Sequence, residues 1–364
     1  MKILYFSGNV TPGTDLSLLN LLKTNHRIYI HNIQETRSEE FNFRTRHFQM
    51  YQRLLDRSEE LNIDLIYFCV PIVPEYLLFE LKTRPFFKPK IVFPLMLRGL
   101  DRSISRCLAL KELVDRPEIF KIPTTVMITE NLKFPENMYK VDFDFSKLAL
   151  IHETFSARTE DIESFNSTKE IAREYLHLKN KDFIVSISGS WAFTKGVDIF
   201  IEALKYINED IAALIHKHNY GVDAELPKDL LKSAKKNHRK TIILEQWLSP
   251  KVYPYLYLAS DVIVCSHKKS YAYSESGIPG MAAKANKLLV APDFYYFNEL
   301  IDRFKIGVKY IPEDPLDMAR AINYAKENYK SLTENARFDE MVKDYKKEED
   351  VPTEMIKIYE NSIL

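Results

Sequence analysis

The residues with the clearest chemical potential lie in FIVSISGSWAFTKGVDIFIEALKYI, which begins at Phe183 and reads as a buried strand, a loop holding Gly189 and Gly196, and a helix opening at Val197. Such a loop turns main-chain N–H groups and a helix N-terminus toward whatever sits above the strand, an arrangement that suits phosphate. Lys195 adds a full positive charge there. An ammonium beside a pyrophosphate would stabilise the negative charge that grows on a departing phosphorylated group, although a solvated loop lysine would leave the same trace in the sequence. Other clusters carry weaker signals. His216 and His218 flank Lys217 at the end of a strand-like run, so alternation puts both imidazoles on one face; with no Cys or carboxylate cluster near them in sequence, no metal site is expected. Arg98 and Asp101 in RGLDR follow the run KIVFPLML, and a loop after a strand can bind a hydroxyl or phosphate; helix capping by Asp101 accounts for the same residue. Glu130, ending TTVMITE, has the same positional claim.

Parallel sheets are the natural scaffold for such loops. Short apolar runs alternate with longer amphipathic segments from the first residue onward, which argues for strands with helices on both faces. Strands are expected near 2–7, 27–31, 64–70, 90–96 and 123–128, then near 183–188, 211–216, 241–244, 261–265 and 287–291. Helices are expected at 15–23, 41–61, 167–178, 316–329 and 336–345, with a last one near 352–362. The polar stretch IHETFSARTEDIESFNSTKE lacks strand alternation and divides the two series. The fold class that follows is α/β: two Rossmann-like, doubly wound parallel-sheet domains, 1–165 and 166–345, facing a central cleft at the carboxyl ends of their strands, with 346–364 packing back on the first.

The order of segments in the second half resembles that of retaining GT-B glycosyltransferases related to family 4. The stretch at Gly189 to Asp198 is similar to that family's "G-R-x-x-x-x-K-G-x-D", and KTIILEQWLSPKVYPYLYLASDVIVCSH is similar to its strand, turn, helix and "aaDv-v-xPS" strand. NKLLVAPDFYYFNELIDRFKIGVKYIPEDPLDMARAI resembles "G-x-PVVA…E…G…dp-x-x-lA-xAi", including Glu299 and a turn at Gly307, and in the first half Gly13 would occupy a glycine-rich loop. The resemblance implies a donor site for a nucleotide diphosphate sugar of UDP or GDP type, used as co-substrate with no cofactor and no metal. It carries Lys195 and Glu275 to catalytic positions, and Gly13, Gly189, Ser190, Ser276, Gly277, Ile278, Trp247 and Glu299 to donor contacts, Trp247 near the nucleobase. Arg98 and Asp101 fall on the acceptor side.

The chain departs from the family at that site. Ser190 stands where the family has an arginine beside the phosphates, and Lys268 or Lys269 could replace it. The family's paired glutamates appear here as Glu275 and Ala283; a second register, counted back from LLVAPD, puts Tyr273 and Met281 at the two positions. Losing a ribose acceptor should weaken binding about 10-fold to 100-fold without forbidding it. Two functions therefore stand side by side: a glycosyltransferase acting in glycan, glycolipid or cell-surface polysaccharide synthesis, and a non-catalytic partner that keeps the fold with a degenerate donor site.

Composition narrows the field without choosing between them. Lys+Arg and Asp+Glu balance at 51 each, so no net field favours nucleic acid or an anionic bilayer, and any membrane contact must be peripheral and local. No apolar run reaches the roughly 20 residues of a membrane span, and MKILYFSG reads as a first strand, so a cytoplasmic protein is expected. Cys69, Cys107 and Cys265 are widely spaced and read as buried, inert thiols. The signatures of dinucleotide-binding dehydrogenases, P-loop NTPases and serine hydrolases (G-x-G-x-x-G, G-x-x-x-x-G-K-[ST], G-x-S-x-G) are missing.

Overall fold

A computed structural model of the chain describes residues 2–7, 27–32, 43–68, 74–84, 86, 90–95, 104–115, 126–128, 140–142, 148–150, 163–179, 181–189, 191–217, 229–245, 248–249, 252–272 and 276–346. The chain divides into two compact units, Met1–Ala157 with Glu348–Leu364, and Arg158–Lys347. The helices expected at 15–23 and 352–362 lie outside the described residues.

The first unit is built on a six-stranded sheet of β1 (Lys2–Ser7), β2 (Arg27–Asn32), β3 (Leu65–Phe68), β4 (Lys90–Leu95), β5 (Val126–Ile128) and β6 (Leu148–Leu150), in the order β2-β1-β3-β4-β5-β6. Every strand pair is parallel. Parallel strands need long crossovers, and α1 (Phe43–Glu60), α2 (Pro74–Lys82) and α3 (Ile104–Asp115) lie in three of them. Met50, Tyr51, Leu54 and Leu55 of α1 are buried, as are Ile3, Leu4, Ile66 and Phe68 of the sheet, while the charged side of α1 meets solvent.

The second unit repeats the plan with β7 (Phe183–Ile187), β8 (Ile211–His216), β9 (Thr241–Leu244), β10 (Val262–Val264), β11 (Leu288–Pro292) and β12 (Gly307–Tyr310). Their order, β12-β11-β10-β7-β8-β9, is the Rossmann arrangement, and all pairs are parallel. The strand order reverses between β7 and β10. Strand β8, IAALIH, is buried at every position, the mark of a strand covered on both faces. Covering helices are α4 (Lys169–Tyr175), α5 (Val197–Ala203), α6 (Leu230–Asn237), α7 (Tyr253–Ala259), α8 (Ile278–Lys284), α9 (Tyr295–Phe304) and α10 (Pro315–Glu327), followed by α11 (Tyr329–Asn335) and α12 (Phe338–Lys346). Two short strands, β6 and β12, were not among those expected; the segment at Gly307, expected as a turn, is the start of β12.

At the amino ends of β7 and β10 a buried ionic cluster fixes the sheet. Asp261 accepts hydrogen bonds from the Arg173 guanidinium at 2.9 Å and from the Ile184 N–H at 2.8 Å, and pairs with Lys169. Arg173 is 1% exposed and also donates Nε–H to the Ala259 carbonyl at 2.8 Å. The pair satisfies its charges internally, which is what allows it to be buried.

Candidate functional site

Ligands of open parallel sheets bind beyond the carboxyl ends of the strands where the strand order reverses. In the second unit that place is defined by the segments that follow β7 and β10, and the sequence fills it with Lys195 from one and Ser266 to Tyr271 from the other.

The turn that carries Lys195 is riveted to the segment after β10. Residues Phe193–Lys195 form a single 3₁₀ turn, closed by Gly196 at φ 64°, ψ 31°, which also starts α5. A Cβ on Gly196 would stand 1.9 Å from the Ser266 carbonyl oxygen, so both the left-handed backbone and the close approach demand glycine. Ser266 Oγ donates to the Lys195 carbonyl at 2.6 Å, and the Lys268 N–H donates to the Thr194 carbonyl at 2.9 Å. Lys268, itself buried, reaches back to Asp198 of α5 at 2.8 Å and lies over the Phe193 ring. Its charge is spent on holding the turn. Lys269 is exposed, with its N–H donated to Glu313 at 3.1 Å.

The Lys195 ammonium itself meets His267. Its Nζ is 3.0 Å from His267 Nε2 and 4.0 Å from the centre of the Tyr271 ring. An ammonium has only donors, so Nε2 must be the acceptor. The imidazole is 1% exposed and packs against the rings of Tyr271 and of Phe297 on α9, at 4.5 and 5.1 Å between centroids. One residue before Ser266, burial pushes the Cys265 thiol up to about 12 despite the nearby Lys195 charge, so this thiol stays protonated and unreactive. Cys107 is buried as well.

Beside this cluster, Gly189 ends the β7 segment at φ 114°, and a Cβ there would be in ordinary contact with Ile278, the first residue of α8. The structure thus brings two expected donor residues, Gly189 and Ile278, together. Ser276 is buried, its carbonyl accepts from the Tyr296 hydroxyl at 3.1 Å, and its Oγ accepts from the Ile278 N–H over a long 3.4 Å. Gly277 is the residue before α8, and Pro279 contributes no N–H. Ala283 and Met281, the second acidic positions of the two registers, are both buried apolar side chains on α8. Glu299 is exposed on α9, outside the arc formed by Tyr296, Phe297, Leu300 and Ile301.

A second group of polar atoms gathers around Ser188. Tyr253 donates its hydroxyl to Ser188 Oγ at 3.3 Å, and Tyr257 lies 3.4 Å from the same oxygen. His216 is fully buried against the Tyr253 ring, and its carbonyl accepts from the Trp191 indole at 3.2 Å. That environment is packing for the imidazole; His218 lies outside the described residues. So do Gly13, Arg98, Asp101, Glu130, Ser190, Trp247 and Glu275. Sequence reasoning missed His267 and Tyr271 because SHKKSYAYS attracts attention for its lysines, and the lysine that the histidine meets is 72 positions away.

These two parallel-sheet units define a GT-B fold. Solved structures of similar fold include sucrose-phosphate synthase from Thermosynechococcus elongatus, at TM-score 0.75 and 13% identity over 99% of this chain and 98% of that one. HepE from Anabaena in complex with UDP-glucose is similar at TM-score 0.72 and 16% identity, covering 99% of this chain and 100% of that one. UDP-GlcNAc 2-epimerase from Neisseria meningitidis, bound to UDP-GlcNAc, is similar at TM-score 0.65 and 13% identity, covering 99% and 100%. No family model and no curated protein matches the sequence. At these identities the likeness shows the fold, and a synthase and an epimerase share it, so the reaction has to be argued from the site.

Proposed function

We propose that this chain is a glycosyltransferase that takes a nucleotide diphosphate sugar of UDP or GDP type and passes the sugar to an acceptor held by the first unit. The observation that carries the reading is the placement of Lys195: a cation on a turn that cannot shift without breaking the Gly196–Ser266 approach, at the carboxyl ends of the two strands where the sheet order reverses. The complexes of HepE with UDP-glucose and of the epimerase with UDP-GlcNAc support a nucleotide-sugar ligand for this fold. As the bond from the sugar to the diphosphate breaks, negative charge gathers on the departing diphosphate, and a preorganised ammonium stabilises it without reorganising at that moment. Main-chain donors near Ser276 to Ile278 would share the load, Glu275 would face the sugar, and Gly13, Ser190, Trp247 and Glu299 would complete the donor contacts. Membership of family 4, retention of anomeric configuration, independence of metal, an acceptor side at Arg98 and Asp101, a cytoplasmic setting and a role in glycan or cell-surface polysaccharide synthesis belong to the same proposal and rest on the resemblance alone.

A second reading, a non-catalytic partner with a decayed donor site, is favoured by one observation: in either register the family's second carboxylate is replaced by a buried apolar side chain, Ala283 or Met281. Calorimetric titration of the full chain with UDP, GDP and their sugars decides between them. The enzyme binds one nucleoside diphosphate saturably below millimolar concentration, and Lys195→Ala lowers turnover of the matching sugar about 10²-fold to 10³-fold. No saturable binding at millimolar ligand would leave the partner reading standing.

A further inference from the structure

We propose that His267 is a positioning residue for Lys195: its Nε2 accepts a hydrogen bond from the ammonium and aims that charge before any ligand arrives. The inference rests on the donor-site reading above and gives the site a component that the resemblance does not supply, since Lys268 and Lys269 were the expected substitutes for the missing arginine. The structure gives Lys268 to Asp198 and leaves Lys269 exposed. What meets Lys195 instead is an imidazole, 3.0 Å away.

Three observations support a positioning role. The imidazole is 1% exposed and packs against Tyr271 and Phe297, so its Nε2 offers a fixed acceptor and not a mobile one. The Tyr271 ring that packs on the imidazole also lies 4.0 Å below the ammonium, so two groups confine the same charge. The backbones on both sides are locked together by the Ser266 and Lys268 hydrogen bonds, which keeps the histidine and the lysine in register. A free lysine side chain samples many rotamers, and fixing it in one costs conformational entropy. Ordering it beforehand lowers what a diphosphate must overcome on binding. A filler of the same volume, such as leucine, would satisfy the packing but not the ammonium.

The test uses the full chain and titrates UDP and GDP, with uridine and guanosine as probes that lack phosphate, into the wild type, Lys195→Ala, His267→Leu, His267→Gln and the Lys195→Ala/His267→Leu double variant. Glutamine places an amide oxygen close to the position of Nε2. The expected result is that His267→Leu weakens diphosphate binding about 10-fold to 100-fold and leaves nucleoside binding unchanged, the scale of one hydrogen bond to a charged group. His267→Gln should recover most of the loss, and the double variant should bind no more weakly than Lys195→Ala. Wild-type affinity in His267→Leu, an equal loss for nucleoside and diphosphate, or losses that multiply in the double variant would each overturn the proposal. If the leucine variant does not fold, ¹⁵N spectra of the wild-type imidazole decide: an unprotonated Nε2 upholds the pair, and a protonated Nε2 overturns it. A wild type that binds neither nucleotide sinks the donor-site reading itself, and the imidazole spectrum still judges the pair.

Discussion

At the level of single residues, Gly196 shows how backbone constraint becomes chemistry. Its left-handed φ of 64° disfavours any side chain, and an added Cβ would collide with the Ser266 carbonyl at 1.9 Å, a contact between two main chains that no rotamer change relieves. Gly189 also has a positive φ, but a Cβ there meets only Ile278, at 3.9 Å. Gly196→Ala should therefore destabilise the protein by about 3 kcal/mol or more, and Gly189→Ala by about 1–3 kcal/mol, read as midpoints of urea unfolding. Equal midpoints for the two variants would show that the Ser266 approach is not a constraint. Lys195 and Gly196 were legible in the sequence because a charged residue beside a glycine after a strand is a local pattern. His267 was not, since its meaning lies in a partner 72 positions away, and nothing local separates a buried imidazole aimed at a lysine from one that fills space.

The elements were read more completely than their edges. Buried parallel strands are continuous apolar runs, so IAALIH and LLVAP announce themselves, whereas Leu148–Leu150 is too short to show any period. The sequence predicts a turn at Gly307, yet this glycine begins β12, where a Cβ would stand 2.1 Å from the Leu289 carbonyl oxygen; the glycine marks a close approach of neighbouring strands. The elements also bury a cost. Lys287, between α8 and β11, sits near Asp261, Lys169 and Arg173, and burial first, then the Lys169 charge, pushes its amine down from 10.5 to about 8, against the pull of Asp261. Below about pH 8 the folded chain must hold this amine charged in a poor environment. Between about 8 and 10.5 the unfolded chain binds more protons than the folded one, so the Lys287 contribution makes stability rise with pH across that window. The full effect is about 3 kcal/mol. Burial moves the Cys265 thiol and the Tyr257 and Tyr310 hydroxyls upward, and these act in the opposite sense near the top of the window, so the comparison has to be made against a variant. Lys287→Met should be the more stable protein at pH 7.5, and its advantage over the wild type should shrink by pH 10 in urea titrations. An advantage of the same size at both pH values would remove Lys287 as its source.

On the scale of the whole molecule, the two sheets were legible because strand-helix alternation and strand burial are carried by composition over hundreds of ångströms of chain, and the reaction was not, because it depends on a few loops. What can be said of the molecule is that Lys195, His267, Tyr271, Gly189, Ser276 and Ile278 all belong to Arg158–Lys347, and so does the complete sheet that holds them. No helix among the described residues is long and apolar enough to cross a membrane. The buried residues of Arg158–Lys347, from Ile184 and Val185 through Ile263 to Met341, form a core of their own. A unit with its own core can in principle fold alone, and if the diphosphate is gripped by these residues, binding does not require the first unit. The fragment Arg158–Lys347, expressed alone, should therefore unfold in one cooperative transition and bind the nucleoside diphosphate chosen by the full chain with an affinity within about tenfold of it, a difference of about 1.4 kcal/mol. Transfer to an acceptor should be lost if the first unit holds the acceptor, as proposed above. A fragment that folds cooperatively yet binds no nucleotide, while the full chain does, would move the donor site away from Lys195.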